Sequence, residues 1–82
     1  MNDQIISYIK ELKHLKDLSD EQRLIDPMSG FLDSLEIAEL VSWLESTFHI
    51  RFDQNDLTDE NLATVRSISA LISRKISVSN NN

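Results

Sequence analysis

The chain is predicted to be all-α: a four-helix bundle of three main helices and one short helix, with a long first loop. Three observations predict this. The 82 residues include one Gly (Gly30) and one Pro (Pro27), whereas an all-β fold needs turn residues every few positions. Three stretches repeat apolar residues at spacings of three and four, which gathers them on one helical face. Each stretch is preceded by a residue able to cap a helix.

In the first stretch, Asn2 or Asp3 is the expected cap. Ile5, Ile9, Leu12 and Leu15 share a face, and Ile6 widens it. Lys10, Lys13 and Lys16 lie mainly on the wet side, and the helix is expected to end near Lys16 or Asp17, where lysines suit the negative end of the dipole. Residues 18–33 form the long connection. Its Leu18, Leu24, Ile25, Met28, Phe31 and Leu32 are too apolar for a free linker, so it is expected to pack back on the helices. Pro27 disfavours helix at Asp26, and Gly30 supplies a permissive backbone before Asp33.

Asp33-Ser34-Leu35-Glu36 has the form of a capping box and opens a helix running to about Phe48. At about 100° per residue, Ile37, Leu40, Val41, Leu44 and Phe48 fall on the core face. Glu36, Glu39, Ser42 and Ser46 fall opposite, together with Leu35 and Trp43. Leu35, beside Ser34, is read as a contact for partners; Trp43 is read as lying under the first loop rather than as an exposed anchor. Ile50 and Phe52 plug the core from a short extended link. Residues 53–63 make a polar loop and one short helical turn, with Leu57 and Leu62 pointing inward. Thr64 caps a last helix whose apolar face is Val65, Ile68, Leu71 or Ile72, and Ile76. Residues 1–76 are expected to be one domain and 77–82 a disordered tail.

Size and charge exclude several functions. A chain this short is near the lower limit for a self-sufficient core and has little room for a deep catalytic cavity. It has no Cys, hence no disulfide, thiolate nucleophile or Cys-based metal site. No apolar run approaches the roughly 20 residues of a membrane span, and no secretory signal is visible; a cytoplasmic monomer is expected. The net charge of -6 is uneven: residues 33–60 hold eight acids against Arg51, whereas 61–82 hold three bases and no acid. Such a middle segment suits a basic protein surface and not nucleic acid, whose phosphates must be neutralised.

Few residues offer chemistry. His14 and His49 each lie at a helix end, not beside a nucleophile. Asp53-Gln54-Asn55-Asp56 opens like a calcium loop, but Leu57, Thr58 and Thr64 stand where that loop needs a ligand, a glycine and a bidentate acid. No metal site and no catalytic residue is expected. Ser34, in the first turn of its helix, remains, and a helix start alone would account for Asp33-Ser34.

Ser34 belongs to a longer pattern. Gly30-Phe31-Leu32-Asp33-Ser34-Leu35 is followed by Glu39-Leu40-Val41, Leu44-Glu45, Phe48-His49-Ile50, Phe52-Asp53 and Thr64-Val65. From about Leu24 to Ile72 the chain resembles the acyl carrier protein family, which includes peptidyl and D-alanyl carrier proteins. The resemblance implies a four-helix carrier fold with a 4′-phosphopantetheine arm on Ser34, installed from coenzyme A with Mg²⁺ by a phosphopantetheinyl transferase. Asp33 would assist the transferase's metal as well as cap. Leu35, Glu36, Glu39 and Glu45 resemble the face offered to basic patches on a loading ligase and on downstream acyl-transferring enzymes. Ser42 and the bulky Trp43 depart from fatty-acid carriers, and Gly-Phe-Leu-Asp is nearer to D-alanyl, aminoacyl or specialised carriers. The resemblance implies a stand-alone, non-catalytic carrier of an acyl or aminoacyl thioester. A carrier-like adaptor that never receives the arm is the alternative, and a small Ser34 hydrolase is a third reading.

Overall fold

The structure, a computed structural model, describes residues 1–25 and 30–80, with side chains as far as Ser77. Three helices form: α1 (Asn2–Lys13), α2 (Ser34–Phe48) and α3 (Val65–Asn80). There is no strand among the described residues, and no helix there is long and apolar enough to cross a membrane. The expected apolar faces form the core, with α1 packed against both α2 and α3. Ile5 and Ile9 come from α1, Leu40 and Leu44 from α2, and Val65, Ile68, Leu71 and Ile72 from α3; all are buried. Leu71 and Ile72 thus both face inward.

The start of α1 differs from expectation. Neither Asn2 nor Asp3 caps it; Met1 occupies the cap position without a side-chain bond. Asn2 makes tertiary bonds instead, accepting from Ser69 Oγ on α3 and donating to Asp20 Oδ2 at 3.4 Å. Its end comes early, at Lys13, because His14 turns left-handed at φ 57°. The Leu15 N–H then reaches back to the Lys10 carbonyl at 2.8 Å, closing the last turn. α2 ends in the same way at His49, φ 56°. Gly30, at φ 59°, is needed at the approach to α2, so the two histidines take the conformation that glycine usually supplies at helix ends.

The first loop is part of the fold. Leu24 is fully buried and Leu32 nearly so. The Leu24 N–H donates to the Ala63 carbonyl at 2.7 Å, and Leu32 N–H donates to the Leu24 carbonyl at 3.0 Å. Asp20 C=O accepts from Arg66 N–H at 3.0 Å, satisfying a first-turn donor of α3 that has no intrahelical partner. The expectations for Pro27 and Met28 lie outside the described residues.

Between α2 and α3, the expected fourth helix reduces to one turn. Leu62 N–H bonds the Thr58 carbonyl at 3.0 Å, and Thr58 Oγ1 accepts from Asn61 N–H at 3.1 Å. A single turn orders several residues for one or two bonds, and Asp59 and Asn61 add little helix propensity, so it does not propagate. Leu62 is buried as expected, but Leu57 is 39% exposed, so only one of the pair points inward. Thr64 caps α3: its Oγ1 accepts from Ser67 N–H at 3.1 Å while Thr64 N–H donates to Ser67 Oγ at 3.0 Å. α3 continues through Ser77–Asn80, which the sequence reading assigned to a disordered tail. No Gly or Pro follows Ile76 to stop it, and an established helix adds a bond per residue.

Candidate functional site

Ser34 is the first residue of α2 and is exposed. The capping box around it is complete. Asp33 Oδ1 accepts from Glu36 N–H at 2.8 Å, and Glu36 Oε1 accepts from Asp33 N–H at 2.9 Å. Two local bonds therefore fix the backbone on both sides of the serine. The hydroxyl sits at the positive end of the α2 dipole, where first-turn N–H groups lack intrahelical partners and a phosphate oxygen is favoured. Next to it, Leu35 is 69% exposed, an apolar side chain held in water beside the hydroxyl.

The acidic residues of α2 are not equivalent. Glu39 is exposed. Glu36 is occupied: besides its capping bond, both its oxygens lie 3.2 Å from Lys13 Nζ, at the end of α1. The same ammonium stands 5.7 Å from the centre of the Phe31 ring. Glu45 is half-buried, and its Oε2 accepts from Phe52 N–H at 2.9 Å, holding the link that follows α2. Of the four residues assigned to a docking face, Leu35 and Glu39 are thus openly presented, whereas Glu36 and Glu45 also hold the structure together.

Trp43 packs on α1 instead of under the first loop. Its ring stacks on Tyr8 with centroids 4.4 Å apart and planes 15° from parallel, and it meets Phe48 edge-on at 6.1 Å. Burial pushes the Tyr8 phenol pKa up, and the Glu39 carboxylate adds to the rise. Tyr8 and Lys13 were missed from sequence as site neighbours. Tyr8 could have been found, since it follows Ile5 by three residues on the buried face of α1.

The other chemically suggestive residues have structural work. Both histidines are exposed and terminate helices, and neither hydrogen-bonds to Ser34 among the described residues. Asp53 and Asp56 cap each other's turn through reciprocal bonds of 3.0 and 3.1 Å. Asp56 Oδ2 also takes Lys75 Nζ at 2.5 Å, and that bond, ahead of the Asp53 backbone contact, lowers the Asp56 pKa. A depression of about 860 Å³ opens at the far end of α2, lined by His49, Arg51, Leu71 and Arg74 among others. Its nearest lining residue on α2, Glu45, lies roughly 16 Å along the helix from Ser34, at 1.5 Å per residue.

Comparison with known families finds that residues 3–72 match the family described as the phosphopantetheine attachment site. Comparisons with curated proteins and with solved structures found no match.

Proposed function

The chain belongs to the phosphopantetheine attachment site family, whose members covalently carry 4′-phosphopantetheine, and on that premise we propose that Ser34 is its attachment residue and that it delivers an acyl or aminoacyl group to partner enzymes. The observation that carries the proposal is the exposed Ser34 hydroxyl, held by a complete capping box at the positive end of α2. The residues fit the group: a transferase reaches the hydroxyl without opening the fold, and the helix end suits the phosphodiester. When bound, the arm supplies the thiol that this Cys-free chain lacks, and that thiol holds the cargo as a thioester. Attachment joins Ser34 Oγ to the phosphorus bearing the pantetheine. The pyrophosphate bond of coenzyme A breaks, adenosine 3′,5′-bisphosphate leaves, and the serine proton passes to a base on the transferase.

Leu35 and Glu39 are the contacts offered to a loading ligase and to acyl-transferring enzymes, with Glu36 and Glu45 beside them. The Phe31-Leu32 approach supports an aminoacyl or specialised acyl cargo. The test is mass spectrometry after incubation with a broad-specificity phosphopantetheinyl transferase, coenzyme A and Mg²⁺. A single arm mapped to the Ser34 peptide is expected. A chain left unmodified by several transferases would be an adaptor that acts by binding alone.

Glu39→Lys is the clean probe of the docking face, because Glu39 is exposed. Its rate of modification at low salt is expected to fall on the order of fivefold, chiefly in association, with the melting temperature unchanged. Raising salt should bring variant and wild type together, since exposed charges are screened beyond about 8–10 Å. Glu36→Lys is a poorer probe, since it removes a capping bond and sets a second cation beside Lys13. Equal rates and salt slopes for Glu39→Lys and wild type would place docking elsewhere.

A further inference from the structure

Glu36 already holds a cation of its own chain. Lys13 Nζ lies 3.2 Å from both carboxylate oxygens, and the two side chains keep only 27% and 20% of their exposure. Lys13 is the last residue of α1, and the left-handed His14 fixes the backbone just behind it. Its ammonium also faces the Phe31 ring at 5.7 Å. It is therefore an anchored charge set against the first turn of the helix that bears Ser34.

We propose that Lys13 is an internal competitor for docking: its ammonium occupies the place on Glu36 that a basic side chain of a partner enzyme takes, so docking exchanges one cation for another. The inference rests on the reading that basic enzymes dock on the first half of α2. A purely structural clasp would act with the opposite sign, because removing it would loosen the site and weaken docking. The geometry favours exchange. Glu36 Oε1 is held independently by Asp33 N–H at 2.9 Å, and the Glu36 N–H to Asp33 Oδ1 bond at 2.8 Å does not involve Lys13. Without Lys13 the carboxylate stays in place, the capping box stands, and Oε2 is released to an incoming cation next to Ser34.

The experiment uses the full chain as substrate for a broad-specificity phosphopantetheinyl transferase, with coenzyme A and Mg²⁺, at low and ordinary salt. Lys13→Gln keeps the first two methylenes of the side chain and removes the charge that faces Phe31. It is expected to lower the KM for the protein substrate by about two- to fivefold at low salt, the range a partly exposed ion pair is worth. The salt dependence should steepen, and kcat should stay the same, as for a change confined to binding. Lys13→Arg, which returns a cation to Glu36, restores the wild-type salt slope. A KM for Lys13→Gln that is unchanged or raised overturns the proposal, and a raised KM with a lower melting temperature identifies a clasp. Glu39→Lys separates the two levels. If it raises KM while Lys13→Gln fails to lower it, docking on α2 stands and the exchange falls. If neither variant moves KM, or if wild type takes no arm, both fall.

Discussion

Ser34→Ala is expected to take up no arm under conditions in which wild type takes up one. The loss is complete because no other side chain shares Ser34's position: Asp33 and Leu35, its neighbours, have no hydroxyl. The variant should fold. Ser34 follows the cap and does not provide it; the capping bonds run between Asp33 and Glu36. Alanine is the better helix former, so the two proteins should melt within about 0.5 kcal/mol of one another. Intact mass and circular dichroism on the same samples test this. An arm on Ser34→Ala would move the attachment site to another hydroxyl.

Asp33 caps α2, and a pair of variants separates that role from the proposed one of assisting the transferase's metal. Asparagine caps about as well as aspartate, so Asp33→Asn should keep the melting temperature. If the carboxylate also helps the transferase's Mg²⁺, Asp33→Asn should still be modified more slowly and need more Mg²⁺ to reach half its maximal rate. Asp33→Ala loses the cap as well, at about 0.5–2 kcal/mol. Wild-type rates and Mg²⁺ dependence in Asp33→Asn would leave the residue as a cap alone.

What could be read from sequence follows the range of the interactions. α2 was legible from Ser34 to Phe48 because Asp33 and Glu36 stand three residues apart and the core pattern repeats within one helix. Thr64 was legible as a cap for the same reason. The end of α1 was missed by about three residues, because it depends on His14 turning left-handed with no glycine to mark it. The turn near Leu62 was overread as a helix, and its brevity left Leu57 outside the core. Long-range pairs were the blind spot. An acidic face is visible in a sequence, but not that Glu36 is already engaged by a lysine 23 positions earlier. Likewise Trp43 was assigned to the wrong neighbour because its partner, Tyr8, belongs to another helix. The family match, over residues 3–72, agrees with the resemblance read from the Ser34 motif and extends it into α1.

Leu24→Ala should cause the largest loss of stability, although Leu24 lies in a loop. Its side chain is fully buried in the core. Truncating such a leucine costs about 2–5 kcal/mol, through lost transfer energy and the cavity left behind. A domain of this length has roughly 4–12 kcal/mol in all, at about 0.05–0.15 kcal/mol per residue. The loss is therefore a large share of the total. It also falls beside the proposed attachment site. The Leu24 backbone joins Leu32, two residues before Ser34, to Ala63, just before the α3 cap. Loosening Leu24 should free the approach to Ser34 as well as the start of α3. The measurement is urea unfolding followed by circular dichroism, with hydrogen exchange at the Leu24 and Leu32 amides. A lower midpoint with an unchanged slope is expected if the loop unfolds with the helices. If the midpoint holds and only these two amides exchange faster, the loop opens as a separate unit. Arg23→Ala, at an exposed neighbouring position, should stay within about 0.5 kcal/mol of wild type. Wild-type unfolding and wild-type exchange in Leu24→Ala would mean that the first loop lies on the helices without holding them, and that α2 alone positions Ser34.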